Sequence, residues 1–424
     1  MASPDSTVLR DDCFAFAEDS LMPLNEAVAI LKDRIRRVTP SETVALTAAM
    51  GRVLAEDVQA DRDVPPHDNA AVDGYAVFFD DLSLAGETCL PVAGRAAAGH
   101  PLGRPGRRGE AIRIFTGAPM PAGSDTVFME EDCRRDGATV VVPPGIKRGA
   151  NRRFRGEDVT AGTVILPRGQ MLRAQEIGLA ASVGRSSFEV YRRLRVGVFS
   201  TGDEVRDPGR PAGEGCIYDA NRYCIIGLLQ GLGTVVTDLG ILPDRLEAIR
   251  GALATAAPGH DLLITSGGMS RGEEDHVKGA VDALGSLFFW RLAIKPGRPI
   301  ALGQVKGTAF VGLPGNPVAV MVTFMRIARP VILLLQGRTD IDPLLFRVRA
   351  AFNYKKKRGR REWLRARLVI GSDGALEASR FGREGSGILS SMVEADGLIE
   401  LSEDQGPVDA GAMVDFLPFS EVSG

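Results

Sequence analysis

Two short stretches decide the fold: RVGVFST at Arg195–Thr201 and DLLITSG at Asp261–Gly267. Each is an apolar, β-branched run that stops at small polar residues and then glycine, the pattern of a buried strand ending in a tight turn. Between them NRYCIIGLLQGLG (Asn221–Gly233) has helical spacing and ends at glycine. TVVTDLGIL (Thr234–Leu242) then reads as a strand, and PDRLEAIRGALATAA (Pro243–Ala257) as a helix with proline near its start. The series continues with a helix at DHVKGAVDALG, strands at LFFWRLAI and TAFVGLP, and a long apolar helix at NPVAVMVTFMRIARPVILLLQ. Strands alternating with helices of this length predict a mostly parallel, doubly wound sheet with helices on both faces.

Outward from this core the texture changes. On the N-terminal side LMPLNEAVAILKDRIRR (Leu21–Arg37) is an amphipathic helix. From about Glu42 to Ser187, short β-type runs such as YAVFF, AIRIFTG and TVVVPP alternate with Pro/Gly breaks such as APMPAG. Beyond about Asp342 the β texture returns in FRVRAAFNY, EWLRARLVI, GLIELS and MVDFLPF. The expected architecture is therefore multidomain α/β plus β: β-rich N-terminal modules, an α/β domain and a small C-terminal β domain. A chain of 424 residues fits several such cores.

Bulk composition excludes several classes. Lys+Arg 51 against Asp+Glu 54 gives no global case for nucleic acid or an anionic membrane. Apolar runs such as PVILLLQG fall well short of the roughly 20 residues that span a bilayer. The N-terminus has no basic start followed by an apolar block. Five scattered cysteines without CxxC predict reduced thiols in a cytoplasmic protein. With four histidines and no HxxxH, any metal is expected to be a hard, oxygen-bound ion such as Mg²⁺.

In an open α/β sheet, ligands sit beyond the C-terminal strand ends. Three loops there are unusual: FSTGDEV with Thr201, Gly202, Asp203 and Glu204; TSGGMSRGEED with Ser266, Gly267, Gly268, Ser270 and three acids; and GLPGNPVAV with Pro314, Gly315 and Asn316. Each brings small residues near a helix start, where backbone N–H groups can approach an anion. None matches GxxxxGK[ST] or GxGxxG. Lys295 and Arg298 flank a Pro-Gly turn, which reads either as a solvated turn or as a phosphate clamp. Asp203, Glu204, Glu273, Glu274 and Asp275 share these strand ends. Each fits a first-turn acid, and together they fit a site for a phosphorylated ligand with Mg²⁺. The β region adds Asp68 and Asp73 in PPHDNAAVDGYAV, the acids Glu130, Glu131 and Asp132, and Glu157 and Asp158 in NRRFRGEDV.

Taken together, DNAAVDGYAV, RIFTGAPMPAGSDTVFMEED, RRFRGEDV, VGVFSTGDEV, IYDANRY, ITSGGMSRGEEDHVK, AIKPGRP and GLPGNPVAV resemble, in order, the molybdopterin molybdenumtransferases. This is the MoeA family, to which the gephyrin E domain is related. The resemblance implies an α/β domain like the MogA adenylyltransferases and a small C-terminal barrel-like domain. It implies a flexible segment at 1–20 and an α/β molybdopterin-binding domain from 21–40 and 188–341. The remaining parts are a linking and dimerisation domain from 41–60 and 161–187, a β-rich domain at 61–160 and a C-terminal domain at 342–424.

The implied reaction is insertion of molybdate into adenylylated molybdopterin with Mg²⁺-dependent release of AMP. Asp73, Asp158, Glu204, Asp244 and Asp275 match the family's functional acids, with Glu204 and Asp275 as metal ligands. Thr201, Gly202, Asp219, Asn221, Ser266, Gly267, Gly268, Ser270, Lys295, Arg298, Pro314, Gly315 and Asn316 match its substrate pocket. A homodimer is implied, in which Asp73 and Asp158 face the partner's loops, with transient contacts to the adenylyltransferase and to molybdoenzymes. Three positions depart from the family's habit: Arg298 for lysine, His276 for an aromatic and Ala220 for serine. Adenylylation of molybdopterin and a scaffold role are the alternatives. The basic run YKKKRGRREWLRARL is expected to be an exposed turn leading into a strand with one wet face, and not a nucleic-acid site.

Overall fold

The computed structural model describes residues 14–15, 21–268 and 276–423. Its central sheet has six strands, numbered here in chain order: β1 Arg195–Thr201, β2 Val235–Leu242, β3 Leu262–Ser266, β4 Gly285–Arg291, β5 Pro299–Val305 and β6 Thr308–Leu313. Their spatial order is β2-β1-β3-β6-β5-β4. β1 runs parallel to β2 and β3, and β3 runs parallel to β6. Only β5 is reversed, being antiparallel to both β4 and β6.

The apolar alternation explains the two-sided packing. Val196 and Val198 of β1 face the helices Asn221–Gly231 and Pro317–Thr323, joined there by the N-terminal helix Leu24–Arg34. Phe199 points the other way, toward Leu246–Ala256 and His276–Asp282, with Leu263 and Phe310. Both layers exclude water from side chains that contribute roughly 1.5–3 kcal/mol each when fully buried.

β5 is absent from the pattern read in the sequence. It follows Pro296, Gly297 and Pro299, which read as a turn, yet proline is allowed at the first residue of a strand. β5 turns into β6 through Lys306 and Gly307, both at positive φ (49° and 82°), as a two-residue hairpin of matching twist requires. The long apolar helix holds a π-turn at Phe324–Ala328 between α-helical Pro317–Thr323 and Arg329–Leu335. The span Pro317–Leu335 is long and apolar enough to cross a bilayer, but most of it is buried in the core.

On the N-terminal side, a six-stranded sheet contains Gly74–Val77, Ala111–Ile114 and Thr126–Met129. A separate three-stranded sheet pairs Ser41–Ala45 with Ser187–Tyr191. The C-terminal strands Phe346–Ala350, Arg361–Ile370, Leu376–Arg380, Gly397–Leu401 and Met413–Pro418 close into a five-stranded barrel, because Arg361–Ile370 pairs with both Leu376–Arg380 and Gly397–Leu401. The short strand Ile294–Lys295 extends this sheet, parallel to Arg361–Glu362.

The strand part of the basic run differs from expectation. Arg361 to Ala366 are buried consecutively, not alternately, because the strand is enclosed by the barrel on one face and by the α/β domain on the other. Lys356, Arg361 and Arg365 are consumed internally, while Lys355, Lys357 and Arg358 in the turn are exposed, as expected. Arg361 pairs with Glu400 and Glu403, Arg365 donates to Ser391, and Lys356 donates to three backbone carbonyls. Four of the cysteines are described, and all four are unpaired.

Candidate active site

A cavity of about 210 Å³ opens at the C-terminal ends of β1 and β3. Its floor is set by register: Ser200 of β1 lies opposite Ser266 of β3 in the parallel ladder, and both line the space. Thr201, one residue on, also lines the cavity, and its hydroxyl donates to Asp244, another lining residue, at 3.2 Å. Gly202 has φ 135°, and a Cβ there would lie 2.6 Å from the Glu204 carboxylate. Gly268 has φ 61°, and its Cβ would meet Val277 at 2.9 Å. At both points the chain passes the cavity where only glycine fits.

The far wall comes from Ile217–Asn221. Asn221 donates its amide to the Gly315 carbonyl at 2.7 Å, tying this wall to the loop after β6. The bond fixes the Asn221 oxygen as an acceptor, and that oxygen has no protein partner. The Ser200 hydroxyl is likewise buried and unpartnered. A buried polar atom without a bond costs about 1–3 kcal/mol, and both of these residues border the cavity, where a ligand can supply the bond.

Ten of the predicted site residues thus come together: Thr201, Gly202, Glu204, Asp219 and Asn221 on one side, and Asp244, Ser266, Gly267, Gly268 and Gly315 on the other. Asp219 has a further commitment. It accepts the Arg222 backbone N–H at 3.1 Å and the Arg222 side chain at 3.0 Å, while the same guanidinium reaches Asp207 and Asp238. Burial pulls the Arg222 pKa down, but its bonds to Asp219 and Asp238 outweigh that and raise it overall. Arg222 and Asp207 were not singled out from the sequence, because nothing in DANRY shows that one cation will gather three separate acids.

Other predicted residues lie elsewhere. Lys295 is drawn away by its pairing with the barrel and lines a second cavity of about 270 Å³ with Tyr354, Glu362, Arg365, Glu384 and Ser386. Its ammonium lies 3.2 Å from Glu362 and 3.3 Å from the Tyr354 hydroxyl, which itself donates to Glu362 at 2.6 Å. Burial pulls the Lys295 pKa down, and these two partners raise it above the ordinary value. Arg298 is half-buried beside this turn, and its carbonyl accepts the Leu292 N–H. Pro314 and Asn316 flank the first cavity without lining it. Asn316 precedes the helix at Pro317 as predicted, but the Val318 N–H is taken by the Ser386 carbonyl at 3.0 Å, so this helix start is partly committed to the barrel. Asp73 and Asp158 are exposed on the β modules and do not line either cavity. Ser270 and Asp275 lie outside the described residues, as do Glu273 and Glu274.

Glycine-edged loops and oxygen donors at the end of a doubly wound sheet define a ligand-binding α/β domain, and the comparisons name its class. Residues 197–333 match the model of a probable molybdopterin binding domain. Residues 22–184 match the MoeA N-terminal region (domain I and II), and 347–419 match the MoeA C-terminal region (domain IV). The chain is 38% identical to the molybdopterin molybdenumtransferase of Haemophilus influenzae over 406 residues, covering 95% of this chain and 100% of that one. It is 34% identical to the molybdopterin molybdenumtransferase of Nostoc, over 88% and 87% of the two chains. A crystal structure of the molybdopterin biosynthesis moeA protein from Pyrococcus horikoshii superimposes with a TM-score of 0.80 at 28% identity, covering 94% of this chain and 100% of that one. The chain belongs to the molybdopterin molybdenumtransferase (MoeA) family, transferases of molybdenum cofactor biosynthesis.

Proposed function

We propose that the protein inserts molybdate into adenylylated molybdopterin, with Mg²⁺-dependent release of AMP and formation of molybdenum cofactor. The observation that carries this reading is the convergence of Glu204, Asp244, Asn221 and the Gly267–Gly268 turn on one cavity. Among the described residues, no lysine or arginine lines it. A pyrophosphate entering such a space meets carboxylates and needs a cation between the two sets of oxygens.

The donor chemistry suits Mg²⁺, since among the described residues carboxylate and hydroxyl oxygens line the cavity and no histidine or cysteine does, while no three acids, histidines or cysteines among them are grouped to hold a metal by themselves. When bound, the ion supplies charge neutralisation at the phosphate being cleaved. Glu204 would hold it, with Asp275 as the second metal ligand implied by the family motif. Thr201 orients Asp244 through its hydroxyl. Gly202 and Gly268 let the phosphate approach the backbone, and Lys295 keeps an anion-binding role in the neighbouring cavity, where Arg365 is a second cation.

Asp73 and Asp158 complete the site in a homodimer by facing the partner's cavity. Their exposure on the β modules, away from this chain's own cavity, supports that arrangement. The unpaired cysteines are in keeping with a cytoplasmic location. The test is incubation of the purified protein with adenylylated molybdopterin, Mg²⁺ and molybdate, following AMP and cofactor. Absence of AMP release overturns the reading.

A further inference from the structure

Among its described residues the first cavity offers a ligand hydrogen-bonding groups and side-chain surface for contact. One wall is suited to this. Tyr218 lines the cavity with half of its surface exposed, next to Ile217, which is 59% exposed. These two large side chains sit side by side at the mouth of the acid-lined space, where a bound ligand can cover them.

The backbone beneath them is held firmly. Ile217 N–H donates to the Glu204 carbonyl at 2.8 Å, and Asp219 N–H to the Arg206 carbonyl at 2.9 Å. The pairs Val205–Ile217 and Arg206–Tyr218 make a short parallel ladder. The next residue, Asp219, is clamped by Arg222. Tyr218 is thus carried on a pinned segment, so its ring is presented at little entropic cost. Beside it, Asn221 offers a carbonyl oxygen fixed as an acceptor, and Ser200 an unpartnered hydroxyl in the floor. An aromatic face next to an acceptor matches a flat nitrogen heterocycle bearing an N–H edge. It does not match phosphate, whose oxygens an acceptor repels.

We propose that Tyr218 is a specificity-determining residue whose ring stacks on a planar nitrogen heterocycle of the ligand, while Asn221 accepts a hydrogen bond from the heterocycle's edge. This rests on the reading that the ligand is adenylylated molybdopterin, which carries two such rings, the pterin and the adenine.

The test is calorimetric titration of the full-length protein with 6-hydroxymethylpterin, with AMP, and with pyrophosphate plus Mg²⁺. Tyr218→Ala is expected to weaken one heterocyclic probe about tenfold, within the range of ring stacking, and to leave pyrophosphate unchanged. Tyr218→Phe is expected to bind like the parent, because the ring is kept. The probe that responds identifies the stacked ring. The proposal is overturned if Tyr218→Ala binds both heterocycles as tightly as the parent, if Tyr218→Phe loses as much as Tyr218→Ala, or if the parent protein binds neither. Stacking that persists in a protein releasing no AMP would overturn the proposed reaction and leave this subsite standing.

Discussion

Thr116 donates both its backbone N–H and its hydroxyl to the same oxygen of Asp73, each at 2.7 Å. The backbone bond, then the hydroxyl, holds the Asp73 pKa below the ordinary carboxylate value. Asp73 is exposed, so the two bonds fix the direction of the carboxylate on the surface and keep it ionised.

Asp73 should therefore stay charged to lower pH than an ordinary aspartate. Its folded value is depressed, so its contribution to stability is present above the unfolded value and is lost as pH falls through the folded one. Thr116→Val removes the hydroxyl bond and should move the Asp73 titration upward, together with the acid limb of the activity profile. Carbon-detected NMR titration of the carboxylate reads the shift directly, and an unmoved midpoint would show the hydroxyl to be idle.

Glu204 is exposed beside Gly202, and its backbone carbonyl anchors Ile217. Glu204→Gln keeps the side-chain shape and the anchor while removing the charge. We expect AMP release to fall at least about a hundredfold, the scale of losing a preorganised charged contact, with the melting temperature unchanged. Partial recovery at raised Mg²⁺ would tie the loss to metal; full activity at ordinary Mg²⁺ would remove Glu204 from the site.

A cleft shared between subunits makes a distinct forecast. Asp73→Ala and Glu204→Ala proteins, each inactive alone, should regain part of the activity after being mixed and allowed to exchange subunits, because some hybrid dimers keep one intact cleft. Hybrids purified with two different affinity tags make the measurement quantitative. Inactive hybrids would mean that each cleft takes both residues from one subunit.

Glu400 is buried and accepts from Arg361 at 2.8 Å, from Arg326 at 3.3 Å and from the Trp363 indole at 2.9 Å. Glu400→Ala strands the buried Arg326, leaves Arg361 with Glu403 alone and should cost about 3–5 kcal/mol, read as a lower urea midpoint. Glu400→Gln keeps an acceptor for Trp363 and should cost less. Equal losses in the two variants would mean that the indole bond contributes nothing.

The parallel part of the sheet was legible because Val196, Val198 and Phe199, or Leu262 to Ile264, are apolar runs bounded by glycine and polar loops, and such runs have few other solutions. β5 was hidden by its own punctuation, since Pro296, Gly297 and Pro299 precede a strand that a local reading ends as a turn. The cavity's loops were legible for the same reason as the strands, each lying just past a strand end. Charge partners were not. Asp219 reads as a free acid until Arg222 is found against it, and Lys295 reads as part of the first cavity until its strand joins the barrel. Such pairings depend on packing between segments far apart in the chain. Tyr218 was quoted only within a family string, because exposure of an aromatic side chain is a property of the folded surface.

The strand Ile294–Lys295 belongs by sequence to the α/β domain and by hydrogen bonding to the barrel. Consequently the barrel is not an accessory that evolution or an engineer can trim without chemical effect. An α/β domain cut free of it would carry Lys295 on an unsupported loop, without Tyr354 or Glu362 to aim the ammonium. Swapping barrels between relatives would exchange the tuning of that cation along with the scaffold.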